Sequence, residues 1–220
     1  SFEGLDVPPT LVSFATAIGN TRDVQSPEFK KANSAVVMLR PQYKDGLPEI
    51  GSLIAIYKTV EQMIEEGKVL SAATPGYGGV AEALFKMCVG NGIGLAADPT
   101  FDEDLFAPAY GSFVVELAEG AEADAGEGYD VIPVGRTITD YRLMVQDEDI
   151  DLAQLQEVWE AKLEPVMPYR GAGEAVESVS YTQGGPLVSA DEHLAHPHVV
   201  IPVFPGNNCE YDSAAAFERA

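Results

Sequence analysis

Ser71-Ala-Ala-Thr-Pro-Gly-Tyr-Gly-Gly-Val-Ala-Glu-Ala-Leu84 brings a glycine-rich turn against the start of a strongly helical segment. Lys68 to Ala72 (KVLSA) reads as a short strand leading into the turn, and Val80 to Val89 (VAEALFKMCV) has the composition and spacing of a buried helix. Gly76, Gly78 and Gly79 can take backbone angles closed to other residues, so several N–H groups can turn toward one point. A helix start adds unpaired amides and the positive end of the peptide dipole, which makes a phosphate the natural ligand there. Thr74, Gly76, Tyr77, Gly78 and Gly79 are therefore the candidate ligand-binding residues. The alternative is a turn that packs a helix tightly on a sheet and binds nothing. No Lys-Ser/Thr pair follows the glycines, so the P-loop pattern is absent, as is a GxGxxG directly after a strand.

Working outward, Thr10 to Ile18 (TLVSFATAI) alternates apolar and small residues like a strand, and Ser26-Pro-Glu-Phe suggests one capped helical turn. Ala35 to Leu39 (AVVML) reads as a buried strand. Ser52 is placed to cap a helix over 53–66 with Ile56, Val60, Met63 and Ile64 on one face and Gly67 as its stop. Beyond the central helix, Gly90 to Gly94 reads as a helix end and turn, followed by a strand over 93–97. Asp102-Glu-Asp104 reads as a solvated turn, because adjacent carboxylates diverge and make a poor metal site. Strands are expected over 112–118 and 131–138, the second with a proline that suggests an edge or a bulge. A helix over 151–163, capped by Asp149 or Asp151, carries Trp159 as a core anchor. From Pro165 about thirty residues lack a clear period and read as a linker. His193, His196 and His198 lie in or beside it without acidic or thiol partners at a metal-ligand spacing, so no metal site is expected. A strand over 198–204, a turn at Pro205-Gly-Asn-Asn and a helix from Glu210 follow. The elements predict an α/β (α+β) fold, a mixed β-sheet flanked by helices.

Thirteen basic and 35 acidic residues among 220 give a formal charge of −22. Binding to nucleic acid or to an anionic membrane needs Lys and Arg on phosphate, so neither is an expected partner. The 46% hydrophobic composition supports a real core. Two cysteines far apart, Cys88 and Cys209, argue against a disulfide framework and fit a reducing cytoplasm. The opening residues lack the basic start and apolar run of a secretion signal, and no apolar stretch approaches the ~20 residues of a membrane span. The start without methionine and the end inside a helical run suggest a piece of a longer polypeptide.

Three stretches, Pro9 to Ile18 (PTLVSFATAI), Ser71 to Leu84 with its Gly-Gly, and Leu105 to Glu116 (LFAPAYGSFVVE), together resemble phosphoribosylformylglycinamidine synthase in its long single-chain form. The tail Val199 to Asp212 (VVIPVFPGNNCEYD) resembles the first strand and turn of the class I glutaminase domain that follows in such chains. The resemblance covers nearly the whole sequence. It implies a synthetase-type domain over 1–170, like the C-terminal domain of aminoimidazole ribonucleotide synthetase, a linker over 171–197, and a truncated glutaminase start over 198–220. It further implies a ligase that uses ATP, Mg2+ and glutamine to convert formylglycinamide ribonucleotide to the amidine in purine synthesis. Many relatives read S-x-H-D-x-S-D-G-G-L at the glycine turn. The matching positions here are Ser71, Ala73, Thr74, Tyr77, Gly78, Gly79 and Val80, so the His and both acids are gone, leaving backbone amides and Thr74.

On this reading the chain alone carries no catalytic residue, holds no cofactor tightly and is inactive by itself. Cys209 follows the first glutaminase strand directly and has no histidine after it, so it is not expected to be a nucleophile. The partners implied are a preceding synthetase-type half-domain, a following glutaminase domain, a small phosphate-bearing ligand and, through exposed sheet faces, a second copy in a dimer. The alternatives are another synthetase of the superfamily, of the selenophosphate synthetase or thiamine-phosphate kinase type, and a non-catalytic assembly module.

Overall fold

The computed structural model describes residues 10–126, 128–166, 168, 195 and 197–219. The chain divides into two compact units, Ser1–Gly171 and Ala172–Ala220. In the first, the run Ala35–Pro41 forms β1, whose near-continuous apolar character marks a strand covered on both faces. It sits centrally in a seven-stranded mixed sheet. A two-stranded hairpin of β2 (Tyr43–Lys44) and β3 (Leu47–Pro48) leads into helix α1 (Ile50–Glu65). Then come β4 (Val69–Ala73), α2 (Gly79–Val89), β5 (Gly94–Ala97), β6 (Phe113–Leu117), β7 (Tyr129–Ile138), β8 (Arg142–Val145), β9 (Glu148–Asp151) and α3 (Leu152–Ala161). The strand order is β4-β6-β1-β7-β5-β8-β9, antiparallel throughout except for the β5–β8 pair.

Alternation along β1 divides the core. Val36 and Met38 pack with Val80, Leu84 and Met87 of α2 and with Leu152 of α3, while Val37 and Leu39 pack with Ile56, Val60 and Met63 of α1. Each fully buried aliphatic side chain contributes about 1.5–3 kcal/mol, so these two layers supply most of the cohesion of the unit.

Several expectations change. Ser52 does not cap α1, which begins at Ile50; it is buried one turn in, accepting from the Gln42 amide (2.9 Å) and donating to the Gly128 carbonyl (2.5 Å). Gly67 does stop the helix, with φ +69° and its amide on the Ile64 carbonyl. Thr10 to Ile18 forms no strand: it is exposed, with Leu11, Phe14 and Ile18 facing solvent, and no strand of the described residues pairs with it. Ser26 opens no helical turn; its hydroxyl donates to Glu28 instead, and a short 3-10 turn lies earlier at Thr21–Asp23. Pro133 lies in a central strand, at a bulge where Val36 faces Gly135 and Val37 faces Pro133. Asp151, not Asp149, caps α3, accepting from the Ala153 and Gln154 amides. Trp159 is 54% exposed and touches Phe85 edge to face, so it is no core anchor. In the second unit α4 spans Glu210–Arg219, but 198–204 forms no strand with any of the described residues. His193, His196 and almost all of the expected linker lie outside the described residues.

Glu116 ties the first unit together. The side chain is completely buried on β6, with one oxygen accepting from the Lys30 amide (2.8 Å) and the Ser71 hydroxyl (2.9 Å), the other from the Lys31 amide (3.0 Å). Glu116→Ala would strand three donors, each costing about 1–3 kcal/mol when unsatisfied. Loss of at least about 3 kcal/mol of unfolding free energy is expected in guanidinium titration, with Glu116→Gln intermediate because it keeps one acceptor.

Candidate functional site

The five candidate residues are contiguous with one turn: Thr74, Gly76, Tyr77 and Gly78 lie between β4 and α2, and Gly79 is the first residue of α2. Thr74 is exposed and Tyr77 is 95% exposed, so both side chains are free to meet a ligand. Gly79 opens α2 with φ +67°, and a Cβ there would come within 2.5 Å of the Leu105 carbonyl oxygen and 2.9 Å of that of Ala107. Glycine is thus demanded at 79 by both conformation and close approach.

The other two glycines answer to a neighbour that sequence reasoning did not single out, Glu82. Its carboxylate folds back over the turn and accepts the Gly78 amide at 2.7 Å. A Cβ at Gly78 would meet Glu82 Oε2 at 2.9 Å, and one at Gly76 would meet it at 3.3 Å. Glu82 also pairs with Lys86 one turn on, at 2.5 Å. The hydrogen bond from Lys86, then that from the Gly78 amide, holds its carboxyl below the usual carboxylate range. The Gly79 amide bonds the Gly76 carbonyl (3.2 Å) and the Ala81 amide bonds the Leu105 carbonyl (2.9 Å). The helix start is therefore capped by the chain's own carboxylate, in the place an external anion would take. The signal was present in sequence as an acid in the first helical turn four residues after Gly78.

Beside the α2 start lies a cleft of about 320 Å³ that includes Val80 and Ala107. Arg40 of β1 reaches into it, held by Glu103 (2.6 Å) and Asp130 (3.3 Å). The cations near the helix start are thus Lys86, paired with Glu82, and Arg40, matched by two carboxylates. Glu103 and Arg40 are 63 positions apart, and no local pattern joins them. Asp104 behaves as the expected turn residue, accepting the Phe106 amide at 3.1 Å.

Among the described residues no group of three or more His, Cys, Asp or Glu side chains is arranged to hold a metal, and no helix is long and apolar enough to cross a membrane. Cys88 is buried in the α2 layer, where desolvation pushes its thiol up to about 12, which makes it inert at neutral pH. Cys209 is exposed at the entry to α4.

No protein-family model matches the chain. The phosphoribosylformylglycinamidine synthase subunit PurL of Lactobacillus delbrueckii subsp. bulgaricus is 33% identical over 117 residues, covering 50% of this chain and 16% of the relative; the protein of a second strain gives the same figures. The chain thus matches less than a fifth of the length of these curated relatives. Among solved structures, Thermotoga maritima PurL complexed with AMPPCP aligns with 90% of this chain and 34% of that one, at TM-score 0.52 and 14% identity. The same protein complexed with FGAR gives 74%, 32%, 0.52 and 12%. PurLQS from T. maritima gives 74%, 31%, 0.51 and 15%. At these identities the likeness is one of fold.

Two outcomes are expected at the turn. Gly79→Ala combines a left-handed backbone with a clash against two carbonyls and should lower stability by about 2 kcal/mol or more, read as a fall in thermal midpoint. Glu82 has a folded-state pKa depressed from 4.5, so its contribution is present above that value and is lost as pH falls through the lower folded value. Glu82→Gln should therefore lower stability at neutral pH and flatten the acid-side decline, measured by urea unfolding across pH 3 to 7.

Proposed function

We propose that this chain, a relative of the PurL subunit of phosphoribosylformylglycinamidine synthase, is a synthetase-type segment of an ATP-dependent carbon–nitrogen ligase that aminates formylglycinamide ribonucleotide. The observation that carries this reading is the 33% identity over half of the chain, joined to a mixed sheet of the same fold as T. maritima PurL. Residues 1–170 are read as the synthetase-type domain and 171–197 as a linker. Residues 198–220 are read as the entry to a glutaminase domain, supported by a turn at Pro205-Gly206 and a helix from Glu210.

Within this function the turn of Thr74, Gly76, Tyr77, Gly78 and Gly79 faces a phosphate-bearing ligand contributed across an interface with another part of the protein. Nucleotide and Mg2+ would have to be held mainly by residues elsewhere, since the carboxylates near the turn are committed to Lys86 and Arg40. What this segment supplies is the Thr74 hydroxyl, the Gly78 amide in exchange for Glu82, and the helix dipole, worth about 1 kcal/mol toward an anion. In the chemistry proposed, ATP activates the amide oxygen by phosphorylation, and ammonia then displaces phosphate at carbon. The ammonia would come from glutamine through the glutaminase partner.

A second reading, an assembly module whose turn only packs α2, is favoured by the self-capping of Glu82 onto Gly78. The complete protein separates the two. With formylglycinamide ribonucleotide, ATP and ammonium, amidine should form with one ADP released per product; absence of ATP-dependent product would overturn the ligase reading. In the same assay Glu82→Gln should change KM for the phosphate-bearing substrate or for ATP several-fold if the turn meets a ligand, because it removes a competing anion. Altered stability with unchanged KM values would leave the turn as packing.

A further inference from the structure

We propose that the open end of the α1 face of the sheet is a binding site for a small amphipathic anion, an aryl or branched-alkyl body bearing a phosphate or carboxylate. The site lies on the opposite face of the sheet from α2 and stands independently of the turn.

Helix α1 covers only part of its face. Beyond it, the strands and the loop after β6 enclose a groove of about 830 Å³ in which no α1 residue takes part. That volume falls in the range of pockets for organic ligands, roughly 300–1,000 Å³. Its floor is apolar: Ala35 and Val37 of β1, Leu117 of β6, Val131 and Pro133 of β7. The bulge opposite Val36 and Val37 breaks the regular ladder beneath it. Ala121, Ala123 and Ala125 of the loop after β6 also line it, and their small side chains take up little of its volume.

Two cations stand on the rim, Lys31 and Arg136, against Glu119 and Glu122, so the groove is locally neutral in a chain of charge −22. Arg136 donates from Nη1 to the Asn33 carbonyl at 3.1 Å, and no carboxylate of the described residues lies within ion-pair distance of it. Lys31 meets Glu119 at 3.0 Å, with the two side chains 61% and 88% exposed. A pair that open contributes only about 0–1 kcal/mol, so an incoming anion can replace Glu119 at little cost. An arginine keeps its charge and its fork of donors at any working pH, which suits it to a phosphate or carboxylate. Apolar floor and cationic rim together select a ligand with both parts, and neither part alone should bind well.

The test is amide chemical-shift titration of the labelled chain with 1-naphthyl phosphate, using 1-naphthol and inorganic phosphate as the half-ligands and 1-naphthoate to compare the two anions. Saturable shifts confined to 31–37, 117–125 and 131–136 are expected, with both half-ligands much weaker. Arg136→Gln should raise the Kd at least about fivefold and Arg136→Lys should restore part of it. Because Arg136 is exposed, its variants should keep the wild-type thermal midpoint, which separates binding from folding. Shifts centred instead on Tyr57 and Phe113 or on 74–79, no saturable shifts at all, or groove shifts indifferent to Arg136→Gln would overturn the proposal.

Discussion

A buried carboxylate with no buried cation governs the first unit. Glu116 lies in the middle of an apolar strand and is tolerated because three donors converge on it, two of them consecutive amides of one loop. Burying a charge without partners would cost several kcal/mol, so the loop at Lys30–Lys31 and the hydroxyl of Ser71 are obliged to stay where they are. The loop in turn seats Phe29 in the core. At Phe29 it is tied to α2 by the Phe29 amide on the Met87 carbonyl (2.8 Å) and to the turn after α2 by Asn91 Nδ2 on the Phe29 carbonyl (2.8 Å). Edge strand β4 is held through Ser71 from the same carboxylate. One side chain thus fixes the strand before the glycine turn and, through the loop, the helix after it.

The turn between them shows how a glycine cluster can arise without an external ligand. Gly79 is required by the left-handed backbone and by the carbonyls of Leu105 and Ala107, while Gly76 and Gly78 make room for the carboxylate of Glu82. An anion from outside would find the helix dipole already opposed and the Gly78 donor already used. Binding there is an exchange of anions rather than an addition. Its net gain depends on what a larger assembly adds around Thr74 and Tyr77.

What could be read from the residues alone follows the range of the forces. Helix α1, helix α2 and strands β1, β4, β6 and β7 were legible because their periodicity and their glycine stops are local. The hairpin β8–β9 was missed because each strand is only four residues long and β9 (EDID) is almost wholly acidic; it is held by Arg142 on Asp149 (2.6 Å) and by ladder bonds. The runs 10–18 and 198–204 fail in the opposite sense, with strand composition and no strand, since a strand exists only when a second one completes its hydrogen bonds. At the candidate site the glycines were legible, but their reason was not. Glu82 capping and the Arg40 clamp depend on side-chain directions and on contacts up to 90 positions apart.

The surplus of acid changes the meaning of the few cations. Lys30, Lys31, Arg40, Lys68, Lys86 and Arg142 each hold a carboxylate within 4 Å. Carboxylates beyond a Debye length of about 8 Å at physiological salt are screened, so the charge of −22 does not by itself bar a phosphate from a given place. What decides is the count of donors and acids within that distance. Around the α2 start Glu82, Glu103, Asp104 and Asp130 outnumber Lys86 and Arg40, and each cation is engaged. An anion at the turn must therefore bring positive charge with it or receive it from a partner. The groove over Val37 and Leu117 needs no such help, since no carboxylate of the described residues pairs with Arg136.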